Sequence, residues 1–142
     1  MDGYDYLSQI SRTRKKLDAL KIKHKTYEQM ADSVPTHPYD EPVVQKSREN
    51  KAPFIKWLDK MIEVDAQIEE KQAELNRLTS DALEKISRVK NENYQNLLML
   101  RFISEYPWID IATILDVSYS TVKRWYWFAL GEFEEMNGDE RS

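Results

Sequence analysis

Apolar residues along the first third of the chain recur in alternating steps of four and three. Tyr6, Ile10, Thr13, Leu17, Leu20, His24, Tyr27, Ala31 and Val34 trace this seam, and no Pro or Gly interrupts it between Tyr4 and Val34. Steps of this kind place one stripe along an α-helix, with the spacing used by helices that pack lengthwise. Residues 35–53 break the rhythm. Pro35, Pro38, Pro42 and Pro53 fall there among small and polar side chains, which predicts a long loop. The stepping resumes from about Pro53 to Val89 through Phe54, Trp57, Met61, Val64, Ile68, Lys71, Leu75, Leu78, Ala82, Lys85 and Val89. Leu58, Ile62, Leu83 and Ile86 widen that stripe at its two ends, as suits packing against more than one neighbour.

Shorter elements follow. Tyr94, Leu97, Leu98, Leu100, Arg101 and Ile103 predict an apolar-rich helix that stops before Pro107. Ile111, Ala112 and Leu115 mark one face of the next short helix. Asp116 then stands where a tight turn needs a left-handed residue, a conformation Asp adopts more readily than most non-glycine types. Val117 is placed to plug the angle between the helices, and Ser118 is a good N-cap. Val122, Tyr126, Ala129 and Phe133 give the helix after it a core face. Tyr119, Ser120, Lys123, Arg124 and Trp127 remain on its outer face, with Thr121 at the margin.

The expected fold is all-α: a long antiparallel helical hairpin, coiled-coil-like, followed by a helix-turn-helix unit. The segments are a first long helix over 1–34, a Pro-rich loop over 35–53, a second long helix over 54–90, the helix-turn-helix unit over 91–135 and a frayed tail over 136–142. A two-helix hairpin buries little, so it calls for the C-terminal unit, a second copy of the chain, or both.

Such a unit can lay its second helix in the DNA major groove. Lys123 and Arg124 reach phosphates or a guanine edge, Ser120 and Thr121 can donate to phosphates, and the N-terminus at Ser118 favours an anion. The alternative is an ordinary helical hairpin with no nucleic-acid role. Charge restrains the DNA reading. The 142 residues carry a net charge of −4, unlike a typical nucleic-acid binder. The distribution is uneven, however. Residues 1–30 hold seven Lys and Arg against four Asp and Glu, 118–130 hold two basic and no acidic residues, and 131–142 hold one basic and five acidic. A single copy offers few phosphate contacts, so its binding is expected to be weak and salt-sensitive.

The run Leu97-Leu98-Met99-Leu100-Arg101-Phe102-Ile103, with Pro107-Trp108, Ile111-Ala112, Val117-Ser118, Thr121-Val122-Lys123-Arg124 and Ala129-Leu130, resembles the last conserved region of bacterial sigma factors. The N-terminal stretch Tyr6-Leu7-Ser8-Gln9-Ile10, its Lys and Arg run and Ala31 resemble the long-helix arm of small phage and prophage proteins grouped with the ArpU-type and RinA-type late regulators. The resemblance implies a promoter-binding transcription regulator, with DNA contacts at Ser118, Ser120, Thr121, Lys123 and Arg124. The chain departs from that pattern at Trp125-Tyr126-Trp127-Phe128, where family members often carry basic or polar residues. Trp127 either stacks on a sugar or a partner protein, or completes a core.

The implied partners are double-stranded DNA and a second copy of the chain joined through the long helices. The rival reading makes the unit a protein-interaction module that docks on RNA polymerase or another host machine. A third, blander reading is a structural coiled-coil protein with a helical end. No apolar run approaches a membrane span, no signal-peptide pattern opens the chain, and the expected location is the cytoplasm of a bacterial host. No cofactor or metal is expected. Cysteine is absent, His24 falls on the first seam, and His37 lies between prolines without a second histidine at ligand spacing. Glu63, Asp65, Glu69, Glu70 and Glu74 are the solvated side of a helix or a charge match to the basic first helix. Without a Gly-rich phosphate loop, a nucleophile elbow or a thiol, no enzymatic role is assigned.

Overall fold

In a computed structural model of the chain, residues 2–34 and 44–138 are described, with side chains from 52 onward in the second stretch. The fold is all-α, and the described residues contain no strand. Among the described residues there are five α-helices: α1 (Gly3–Asp32), α2 (Val44–Ile86), α3 (Glu92–Leu98), α4 (Trp108–Leu115) and α5 (Tyr119–Asn137). A π-helical turn, Met99–Ile103, continues α3.

The chain divides into two compact units, and α1 and α2 each pass from one into the other. One unit combines Met1–Arg14 with Glu74–Ser142, and the second is Lys15–Ala73. Within the second unit Leu17, Ala31 and Val64 are buried. His24 Nε2 lies 3.0 Å from Asp65 Oδ1, and the Tyr27 ring stacks on Trp57 at 5.8 Å. The α2 partner number falls as the α1 number rises, so these segments run antiparallel. His24 is therefore engaged with a carboxylate, while His37 lies outside the described residues.

The first unit holds most of the core. Leu7 and Ile10 of α1, Ala82 and Ile86 of α2, and Leu97 and Leu98 of α3 are almost fully buried. Polar contacts tie its remote segments together. The Gly3 amide donates to Glu134 Oε1 at 2.7 Å. The Tyr6 hydroxyl donates to Asp81, whose carboxylate also lies 3.3 Å from Lys85 Nζ. The Tyr6 hydrogen bond, with Lys85 adding to it, holds the Asp81 carboxyl below its ordinary value despite partial burial. Arg14 reaches the end of the π-turn, donating to the Ile103 carbonyl at 3.0 Å and pairing with Glu105 at 2.7 Å. Glu105 has φ 58°, and the Tyr106 amide reaches back to the Leu100 carbonyl at 2.9 Å. This is a left-handed helix stop of the kind usually made by glycine, here occupied by a residue that Arg14 holds.

The seams match burial closely, with informative departures. Every residue of the first seam is at least half-buried, and on the second seam only Phe54 is exposed. Of the residues expected to widen the second stripe, Ile86 is buried, but Ile62 is 66 % exposed. The loop expected over 35–53 gives way to helix at Val44, and Pro53 lies inside α2. Residues 35–43 are outside the described stretches. Proline favours the first turn of a helix, which made Pro53 look like a start. The preceding Gln, Lys, Arg, Glu and Ala are good helix formers and carry the helix upstream, although Pro53 cannot donate an amide back to the previous turn. Residues 136 and 137, placed by pattern in a frayed tail, instead complete α5. Asn137 is 5 % exposed and is anchored by Arg88 at 2.9 Å and by the Phe133 carbonyl at 2.9 Å. Residues 139–142 are outside the described stretches. No described helix is long and apolar enough to cross a membrane.

Candidate nucleic-acid interface

The start of α4 follows from Pro107, whose extended backbone (ψ 153°) turns the chain and whose carbonyl accepts from the Asp110 and Ile111 amides at 3.1 Å each. Ile111 and Ala112 point inward, at 0 % and 6 % exposure. Asp116 ends the helix at φ 55°, ψ 48°, the left-handed conformation its position calls for. The Val117 amide closes the turn on the Ala112 carbonyl at 3.0 Å, with the Val117 side chain half-buried.

Ser118 then caps α5. Its Oγ accepts from the Thr121 amide at 3.1 Å, a contact worth about 1 kcal/mol in comparable helices. The same oxygen lies 2.7 Å from Thr121 Oγ1 and 3.2 Å from Ser120 Oγ. The Ser120 and Thr121 hydroxyls, which the sequence offered to phosphates, therefore cluster with Ser118 around the cap. Val122, Tyr126, Ala129 and Phe133 are all buried and pack α5 into the unit, together with Leu130.

The outer face of α5 is half cationic and half aromatic. Lys123 Nζ sits 4.7 Å from the centre of the Trp108 ring and 5.9 Å from that of Tyr119. Arg101, from the π-turn, lies 4.2 Å from the same Trp108 ring and donates to the Tyr106 carbonyl at 3.2 Å. One indole thus carries two cations, while it packs edge-to-face with Tyr126, the ring centres 4.8 Å apart. This geometry makes cation–π attraction and holds Lys123 in place. Arg124 is exposed and, among the described residues, has no ion pair. Exposed Asp110 and Asp116 bring negative charge to α4 and the turn.

Sequence alone missed Arg101 as a third cation. It sits seven residues before Trp108 across a helix stop, and no periodicity links the two. Trp127 is 70 % exposed and Phe128 55 % exposed, so of the two readings left open for Trp127 the completion of a core is the one excluded. Its ring leans on Tyr126 at 5.1 Å and otherwise faces outward. Position decides this: the core face is filled by 122, 126, 129, 130 and 133, and residue 127 points away from it. Trp125 is half-buried, edge-on to Tyr94 at 6.3 Å.

Tyr126 is the buried support of this surface, stacked on Phe102 at 6.1 Å. Burial raises its hydroxyl pKa above the ordinary value of 10.0. The folded state therefore favours the neutral phenol. That contribution is intact below about pH 10 and is lost as pH rises through the raised folded value. Tyr126→Phe is expected to move the alkaline unfolding midpoint, followed by tryptophan fluorescence, to higher pH than wild type. An unchanged midpoint would remove Tyr126 from the alkaline response.

Comparison with family models, with curated proteins and with solved structures finds no match to this chain.

Proposed function

We propose that the chain is a DNA-binding transcription regulator of phage or prophage genes, with the first turns of α5 laid against promoter DNA. One observation carries the reading. The exposed N-terminal end of α5 follows a three-residue turn and presents Lys123 and Arg124 with Arg101 beside them. Amides at a helix start favour phosphate oxygens, and the two α5 cations reach backbone or base edges. The sigma-like run from Leu97 to Leu130 adds support as a resemblance. With three cations, log affinity should fall against log salt with a slope of about −3 for one copy. Titration of the encoding element's promoter duplex over a salt series tests this. No specific shift at low salt, with or without RNA polymerase, sinks the proposal.

A second reading has its own observation in the exposed rings of Trp127 and Phe128, a surface suited to protein rather than phosphate. Docking on RNA polymerase without DNA is its concrete form. Recovery of polymerase by DNA-free protein, lost on Trp127→Ala, would favour this reading over DNA contact.

A further inference from the structure

Gly131 lies in the middle of α5, where nothing in the fold asks for glycine. Its φ is not positive, and a Cβ added there meets no atom within 4 Å. Glycine is among the poorest helix formers, so its placement costs stability without an internal return. A missing side chain on an exposed helix face allows close approach by something from outside.

The neighbouring surface indicates what approaches. Arg124, Phe128, Gly131 and Glu135 follow at spacings of four, three and four, one stripe along the helix. Its N-terminal end is positive, its middle apolar and open, and its C-terminal end negative. Among the described residues neither Arg124 nor Glu135 has an ion pair. An open groove of about 570 Å³ flanks the middle, lined in part by Trp127, Phe128, Gly131 and Glu135.

We infer that this stripe is a contact between two copies of the chain, with their α5 helices antiparallel. Arg124 precedes Phe128 by four residues, and Gly131 precedes Glu135 by four. A single antiparallel register therefore seats Phe128 on the partner's Gly131 and sets Arg124 against the partner's Glu135. Two-fold symmetry repeats both contacts, as an isologous interface requires. The match of charge and shape in one register singles out a second copy over a partner that is uniformly basic or acidic. The four exposed rings of Trp127 and Phe128 supply on the order of 500 Å² of burial, below the size of a standard interface. The association is weak and depends on concentration. It is a different contact from one through the long helices and does not rest on DNA binding.

Analytical ultracentrifugation of the full chain without DNA tests the inference. The mass should rise from 16.9 kDa toward twice that value between about 5 and 500 µM, the range a small interface implies. Arg124→Glu and Glu135→Arg should each return the chain to monomer, and the double variant should restore the dimer. Gly131→Leu should also give a monomer, with helicity and melting temperature equal to or above wild type because the substitution meets open space and improves helix propensity. A wild-type chain that stays monomeric to about 500 µM overturns the inference. So does a dimer indifferent to these variants, or a double variant that fails to recover; RNA polymerase captured by monomeric protein through Trp127 would assign the groove elsewhere.

Discussion

Ile111→Ala is expected to destabilise the C-terminal unit by about 2–5 kcal/mol, the range for removing a buried Ile side chain. Ile111 is fully buried on α4, which packs on both α3 and α5. The helix is only eight residues long, too short to persist in water without tertiary packing. Loosening its inward face should release Trp108 and separate the indole from Arg101 and Lys123. Urea unfolding followed by tryptophan fluorescence should show an earlier transition. The control is Ile114→Ala on the same helix: Ile114 is 53 % exposed, and a surface change of this kind should stay within about 0.5 kcal/mol. Equal losses from the two variants would mean that α4 does not dock through Ile111.

The second large effect falls on DNA affinity. Lys123→Ala combined with Arg124→Ala should weaken promoter binding about 100-fold at low salt, taking roughly 1.5 kcal/mol for each charged contact. The two positions should behave differently alone. Arg124 is exposed, so Arg124→Ala should lower the salt slope by about 1 while leaving the melting temperature unchanged. Lys123 is held over Trp108 and Tyr119, so Lys123→Ala should also cost about 0.5–1 kcal/mol of stability. Nanomolar protein keeps this measurement below the range of self-association. A double variant that binds like wild type and retains wild-type helicity would exclude these two side chains from the interface.

Much of the fold was legible because helical burial follows a period. The stepping through Ile10, Thr13 and Leu17, and through Leu75, Leu78 and Ala82, identified buried faces correctly. Local chemistry was equally readable at Asp116 and Ser118, where the demands of the turn and the cap are confined to a few residues. Partner choice was much less legible. A heptad gives the direction a helix faces, not what it faces. Leu7 is fully buried beside Tyr6, and that widening of the stripe at the start of α1 was the available sign that its first turns pack against more than α2. Arg101 and Trp108 meet through a π-turn and a left-handed Glu105. No residue pattern encodes that bend, so this part of the candidate site emerged only in three dimensions.

The pairing of Gly3 with Glu134 spans 131 residues of sequence. A ribosome that adds about 5–20 residues per second leaves the opening turns of α1 without their α5 partner for roughly 7–26 s. The contact of Tyr6 with Asp81 of α2, 75 residues on, can form earlier. The unit with the larger core therefore cannot be completed until Glu134 has been added. The segment Lys15–Ala73 is a compact unit by itself and is complete in sequence earlier. A fusion placed ahead of Gly3 adds bulk at the point where the two distant segments must finally meet.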